Sequence, residues 1–304
     1  MMPPAVPARL TLALLFLSLV GCHPGNAEAR RLRVSCDAGE AAACNKFAAK
    51  LQKGEYVLRD EARAAVLFDT ACKGGVGDGC ASLGAMLQRG SGVPKKDSVR
   101  AIALFQRGCE TGAMEGCAQL GVLYRQGSGV TTDLARAASL FQKACDGGHM
   151  TGCAHLGALY ADGGGVAQDF PRAAALLQKS CDDKVAIGCV GLGQLYGAGT
   201  GVPHNDSLAA SLFEKACNRS EPTGCLRLAM VHEAAQGVKQ NFQRAAELYR
   251  EACEERNGEA CFRLAALYDK GAGVYRQPER ATTFRRRACE YGYAEACTKP
   301  KGAA

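Results

Sequence analysis

The sequence predicts an all-α fold, a solenoid in which helical hairpins stack on one another and each repeat carries one disulfide. Three observations predict it. Sixteen of the seventeen cysteines form eight pairs with a constant separation of eight positions. Successive pairs begin 36 residues apart, with a single step of 37 between Cys72 and Cys109. Within each repeat, apolar residues recur at the spacing of a helix face.

The elements follow in chain order. Met1 to Arg9 is a short leader, and Leu10 to Val20 is an apolar run too short to span a bilayer as a helix. The run suits the core of a signal peptide, and its end, Leu19-Val20-Gly21-Cys22, resembles the bacterial lipoprotein box. In such a box the cysteine becomes the acylated first residue. Residues 1–21 are therefore expected to be a signal peptide, and Cys22 a lipidation site at the head of a linker, 22–30. His23, where an aspartate would favour retention at the inner membrane, points to the outer membrane, on its periplasmic or surface face. Cleavage removes one charged residue, Arg9, taking the net charge from +7 to +6. That charge is modest and forms no dense block, so nucleic acid is not an expected partner.

The repeat array is expected over 31–298, with a tail at 299–304. Each repeat begins with a helix A such as Cys117-Ala-Gln-Leu120-Gly-Val-Leu123-Tyr124. Ten residues past its cysteine stands a glycine (Gly54, Gly90, Gly127, Gly163, Gly199, Gly271), with Ala235 the exception. Glycine there suits a left-handed C-cap. A Gly-x-Gly-Val turn follows. A short polar residue comes next (Asp60, Asp133, Asp169, Asn205, Asn241) and suits the N-cap of a helix B. Helix B reads Arg136-Ala-Ala-Ser-Leu140-Phe141-Gln-Lys-Ala-Cys145. The extra residue of the longer step lies in the turn from Val93 to Val99, where insertion costs least. Small residues at fixed places, such as Gly84, Gly157 and Gly193 in helix A and Ala101, Ala137 and Ala173 in helix B, permit close helix approach. Seven full A–B pairs result, preceded by a half-unit at about 27–38 and followed by a stub that Pro300 ends.

The cysteine pairs are Cys36/Cys44, Cys72/Cys80, Cys109/Cys117, Cys145/Cys153, Cys181/Cys189, Cys217/Cys225, Cys253/Cys261 and Cys289/Cys297. Eight residues along one helix span about 12 Å, too far for a disulfide, so each pair must straddle a turn. Turns such as Asp146-Gly147-Gly148 supply it. Each bridge closes a short loop, worth roughly 2.5 kcal/mol in the chain-entropy model. Zinc is disfavoured because no Cys-x-x-Cys occurs and each repeat offers two thiolates. No metal and no cofactor are expected. The sixteen cysteines are counted among the site residues for the bridges they form.

The Leu-Gly-x-Leu-Tyr helix, the Gly-x-Gly-Val turn, the Arg-Ala-Ala-x-Leu-Phe-x-Lys-Ala-Cys helix and the 36-residue period resemble Sel1-like repeats, over about residues 30–298. The Cys-x7-Cys in every unit is similar to the secreted Helicobacter cysteine-rich subgroup. The resemblance implies a right-handed α/α superhelix that acts as a scaffold for protein interactions. It also implies, as an alternative, β-lactam or cell-wall-fragment binding, or a β-lactamase-like hydrolase. Three departures stand out: Leu208 in place of the recurrent arginine, Val231-His232 in place of Leu-Tyr, and the polar run Thr282 to Arg287.

Catalytic patterns are sparse, so the reading leans away from an enzyme, and any activity would be the β-lactamase-like hydrolysis that the resemblance alone implies. No serine has lysine three residues on, as a serine β-lactamase requires. The histidines, His23, His149, His155, His204 and His232, form no metal-ligand pattern, and His149 and His155 are expected at the surface. Gly197-Ala-Gly199-Thr-Gly201 occupies the repeated turn and reads as turn chemistry rather than a phosphate loop. Arg285 to Arg287 reads as a solvated helix face, and the recurrent Tyr124, Tyr160, Tyr196 and Tyr268 read as core. The polar slots two residues past six of the seven helix-A cysteines, Lys46, Ser82, Gln119, His155, Arg227 and Arg263, vary while their neighbours do not. They are the candidate contacts for a protein or peptide lying in a concave groove. The chain is expected to be an exported envelope lipoprotein, monomeric, and held to the membrane by its lipid.

Overall fold

The computed structural model describes residues 24–297, which form fifteen α-helices and a terminal 3-10 turn, with no strand among the described residues. The chain divides into two compact units between Thr132 and Asp133. The first holds a leading helix, Pro24–Asp37, then the helices A and B of two hairpins, Ala41–Lys53 with Glu61–Lys73 and Gly77–Arg89 with Ser98–Glu110, and the helix A Met114–Gln126. The second opens with the helix B Leu134–Asp146. Four hairpins follow: Met150–Asp162 with Phe170–Asp182, Ala186–Ala198 with Asp206–Cys217, Pro222–Ala234 with Phe242–Glu254, and Gly258–Lys270 with Pro278–Glu290. The 3-10 turn Ala294–Cys297 closes it. The leading helix is longer than the half-unit read from the sequence, beginning at Pro24, a residue that suits the first turn of a helix.

Helix ends obey the sequence signals. Asp60, Asp97, Asp133, Asp169, Asn205 and Asn241 each accept a hydrogen bond from the backbone N–H three residues on, at 2.8–3.0 Å. Asp97 follows the inserted residue, so the longer turn still delivers an acceptor to Arg100 N–H. In the last hairpin Gln277 holds the same position and provides no side-chain cap.

The two turn glycines have different physical reasons. The first ends helix A in the left-handed region, and Ala235 adopts the same conformation, φ 59°. The second, as in Gly273, lies against the first residues of the preceding helix B. A Cβ on Gly273 would overlap the backbone at Phe242. Repeat six therefore tolerates Ala235 but retains Gly237.

Each bridge joins the end of one helix to the start of the next across a short turn, with Cα atoms 4.5–4.8 Å apart. The core between the helices is small and apolar. In the second unit one cluster joins Ala173, Ala174, Leu177 and Cys181 to Cys189, Val190, Leu192 and Leu195. A Cβ on Gly157 or Gly193 would meet Leu177 at 2.9 Å or Phe213 at 2.7 Å, so these small residues seat the large side chain of the partner helix.

Candidate functional site

The cysteines form the eight bridges read from their spacing, and the structure adds their burial. Cys44, Cys80, Cys117, Cys153, Cys189 and Cys261 are 0% exposed, and Cys225 is 1% exposed. Helix A carries its cysteine on the face turned toward the preceding helix, so the sulfur is packed into the core instead of facing a groove. Cys36, Cys72, Cys109, Cys145, Cys181, Cys217 and Cys253 are buried as well. These seven bridges are therefore structural and present no surface to a ligand or a thiol reagent. The last bridge differs: Cys289 is half-buried and Cys297 exposed.

The polar slots fall on the outward stripe of the helices A, shared with residues such as Glu115, Val122 and Gln126. Lys46 is exposed; Ser82, Gln119, Arg227 and Arg263 are half-buried. Two lie along their own helix: Gln119 donates to Glu115 at 2.6 Å, and Arg263 donates to Glu259 at 2.8 Å. Arg227 turns toward Met230, leaving its Nε buried without a hydrogen-bond partner. His155 corrects the surface expectation: it is 8% exposed, with its ring 4.9 Å from that of Phe141. Helix B Leu134–Asp146 covers the slot there with a phenyl ring. His149 is half-buried and caps its helix, its Nδ1 accepting from Gly152 N–H at 3.3 Å.

The recurrent tyrosines are less enclosed than a core reading requires. Tyr268 is buried, whereas Tyr124, Tyr160 and Tyr196 are half-buried. In two repeats the recurrent arginine of helix B lies over the ring. The Arg172 guanidinium sits 5.7 Å from the Tyr160 ring centre, and that of Arg280 sits 5.8 Å from Tyr268. The arginine run also separates. Arg285 pairs with Asp269, Arg286 pairs with Glu290 at 3.7 Å, and Arg287 lies over the Phe284 ring at 5.6 Å.

A recess of about 790 Å³ in the second unit lies between helices Phe242–Glu254 and Pro278–Glu290. Arg250, Tyr268 and Arg280 line it and also line an adjoining recess of about 390 Å³ that reaches Phe284 and Arg287. Tyr268 and Phe284 stack with ring centres 5.6 Å apart and planes inclined by 7°. Arg280 donates to the Tyr268 hydroxyl at 3.4 Å. The sequence reading placed no site here, because Arg250 breaks no helix rule. Its signal is positional: three residues before the cysteine, the middle repeats carry Asp69, Gln106, Gln142, Gln178 or Glu214, and only the terminal Arg33 and Arg286 match Arg250.

Two further polar features belong to the frame. Tyr249 replaces the recurrent phenylalanine of helix B and donates to Glu233 at 2.6 Å; burial, then this bond, pushes its phenol pKa up. Cys217, Cys225 and Glu251 form the one group of three metal-ligand types gathered among the described residues, but the two sulfurs are bonded to each other. Cys22 and the tail from 298 lie outside the described residues. Among the described residues no helix is long and apolar enough to cross a membrane.

A family model described as Sel1 repeat matches residues 41–76, 77–112, 115–149, 151–184, 186–220, 222–257 and 258–293. Among solved structures, the chain is similar to a protective antigen present in uropathogenic Escherichia coli strains. Identity is 27% over 88% of this chain and 57% of that one, with a TM-score of 0.62. The chain thus spans little more than half of that relative. A Sel1 repeat protein from Oxalobacter formigenes matches at 20% identity over 88% of this chain and 77% of its own, with a TM-score of 0.62. Helicobacter pylori cysteine rich protein B matches at 25% identity over 43% of this chain and 93% of its own, with a TM-score of 0.36. No curated protein gives a significant match.

Proposed function

The chain belongs to the Sel1 repeat family, and from that premise we propose that it is an exported scaffold, held at the cell envelope by a lipid on Cys22, that binds a protein or peptide partner. The observation that carries this reading is the division of labour along the repeat. Cysteines, small residues and leucines recur at buried positions, while the polar residues two past the helix-A cysteine change from Lys46 to Arg263. A frame that is repeated and a surface that varies suit a rigid display of contacts.

Export is supported by the chemistry of the bridges. Eight disulfides, one in every repeat, persist in an oxidising compartment and not against a cytosolic thiol pool. The apolar run before Cys22 supplies a route there. The solenoid from 31 to 298 is the binding body, residues 22–30 the tether, and the slots Lys46, Ser82, Gln119, Arg227 and Arg263 a first set of contacts, the buried His155 being left out.

The test is crosslinking and affinity capture from envelope extracts with the oxidised chain, alongside the charge reversals Lys46→Glu, Arg227→Glu and Arg263→Glu. Retention of one specific partner, weakened by at least one reversal, supports the scaffold. Failure to retain any partner under conditions that preserve the bridges sinks it. Intact mass of the membrane-extracted protein checks the anchor separately, since a diacyl or triacyl addition must sit on Cys22.

A further inference from the structure

We infer that the recess between helices Phe242–Glu254 and Pro278–Glu290 binds an acidic peptide segment, with Arg250 and Arg280 gripping its carboxylates over an aromatic floor of Tyr268 and Phe284. The inference rests on the scaffold reading and names the chemistry of a partner for one place on it.

The starting observation is a lane of paired positions that recurs from repeat to repeat. In sequence register, the recurrent arginine of one helix B comes about thirty residues after the residue three before the cysteine in the preceding helix B. In the first unit that pair is Arg100 and Asp69, which meet in an ion pair at 3.0 Å. Four further repeats place an amide or a carboxylate at the second position: Gln106, Gln142, Gln178 and Glu214. In the last pair of helices the position is Arg250, opposite Arg280, and both side chains are exposed and line the same recess. Two guanidinium groups then share one groove, as Arg33 and Arg63 do beside the leading helix, whereas Asp69 gives Arg100 an acid.

The neighbours do not supply the missing charge. The carboxylate of Glu247, which also lines the groove, is paired with Arg244 at 3.2 Å. Arg280 is held in place by the Tyr268 ring and hydroxyl, neither of which neutralises it. Arg287, over Phe284, adds a third cation at the far end. Arginine forks match carboxylates in two parallel hydrogen bonds, and the half-buried Phe284 offers apolar contact beside them. Tyr275, 87% exposed at the rim, extends that apolar surface. The charges line a trough between two helices, which suits an extended chain with side chains on both edges and fits a flat lipid surface poorly.

The experiment is fluorescence anisotropy on the purified, oxidised chain with a labelled eight-residue peptide of alternating Glu and Phe, against the same peptide with Gln for Glu. The expected result is binding of the Glu peptide that weakens as salt rises, and at least tenfold weaker binding of the Gln peptide. The variant Arg250→Asp should lose at least tenfold in affinity yet unfold no earlier than the parent, because Asp at 250 recreates the pairing of Asp69 with Arg100. Equal affinity for the two peptides, or unchanged affinity in Arg250→Asp, overturns the proposal. So does binding of phosphatidylglycerol vesicles without binding of the Glu peptide. Capture of the same envelope partner by parent and Arg250→Asp leaves the scaffold standing and rejects this groove. Failure of capture by the parent rejects the scaffold, while the peptide measurement still judges the groove by itself.

Discussion

Gly25 lies beneath the ring of Tyr56, close enough that a Cβ at residue 25 would come within 2.5 Å of the ring. Elsewhere the turn contributes a glycine that lies against the start of a helix, as where Gly201 lies against Phe170 and Gly273 against the Phe242 backbone. The first repeat reverses the arrangement: Tyr56 occupies the turn position, at φ 61°, and the helix supplies Gly25. In the first repeat the close approach is thus made by a side chain on a helix glycine instead of a turn glycine on helix backbone.

Gly25→Ala is expected to loosen the leading helix by about 1–3 kcal/mol through overpacking. Adding Tyr56→Gly removes the clash and lets a turn glycine accept the helix. Hydrogen exchange across residues 24–37 measures both. A double variant no better protected than Gly25→Ala alone refutes the exchange of roles.

The two turn glycines should respond in opposite senses. Gly273→Ala drives a methyl into the start of helix Phe242–Glu254 and is expected to cost roughly 3 kcal/mol, as backbone cannot move aside cheaply. Ala235→Gly relieves a non-glycine residue at φ 59°, against a larger loss of chain entropy on folding, for a net gain of about 0.5 kcal/mol. Urea unfolding monitored by circular dichroism ranks them. A Gly273→Ala variant as stable as the parent would show that the turn does not bear on the helix.

Much of this was legible because each rule appears seven or eight times in one sequence. The cysteine pairs must straddle a turn, and Cα distances of 4.5–4.8 Å agree. The caps at Asp60, Asp133 and Asp169 needed only their place before an apolar run. Burial across neighbouring elements was not legible. Spacing pairs Cys153 with Cys145 and Cys261 with Cys253, but only the packed helices show that those sulfurs are sealed inside. His155 is covered because Phe141, one helix earlier, points at it, and helical periodicity says nothing of that. The groove at Arg250 was missed for the same reason. Its meaning lies in the charge of Arg280, thirty residues on, and in the Asp69–Arg100 pair that shows what the position holds in the first unit.

One cap remains open to improvement. Gln277 holds an N-cap backbone, φ −144° and ψ 85°, close to that of Asp133 at −143° and 94°, yet its longer side chain makes no cap bond. Gln277→Asp places a carboxylate at the reach used in the other hairpins and adds charge at the positive end of the helix. The expected gain is about 0.5–1 kcal/mol, confined to helix Pro278–Glu290. Differential scanning calorimetry of the variant, with Asp133→Ala as the reverse control, reads it. A gain absent from Gln277→Asp while Asp133→Ala costs about 1 kcal/mol would mean that the last helix frays for another reason.

The hydroxyl of Tyr249 sets a pH limit on the second unit. Its ring is buried and its proton is held toward Glu233, so burial first, and the bond second, raise the phenol pKa in the folded chain. An unfolded tyrosine ionises near pH 10. Below that pH both states keep the proton and the stability is fully present. Above it the unfolded chain releases a proton that the folded chain retains, so stability falls as pH rises. Tyr249→Phe removes this loss, making the fall between pH 10 and 11 smaller by about 1 kcal/mol. At pH 7 the same variant should be less stable than the parent by about 1 kcal/mol, since the bond to Glu233 is gone. The two effects oppose each other, so the stability difference between variant and parent should shrink steadily from pH 9 to pH 11. Parallel pH profiles for the two proteins would show that the Tyr249 proton is not held by the fold.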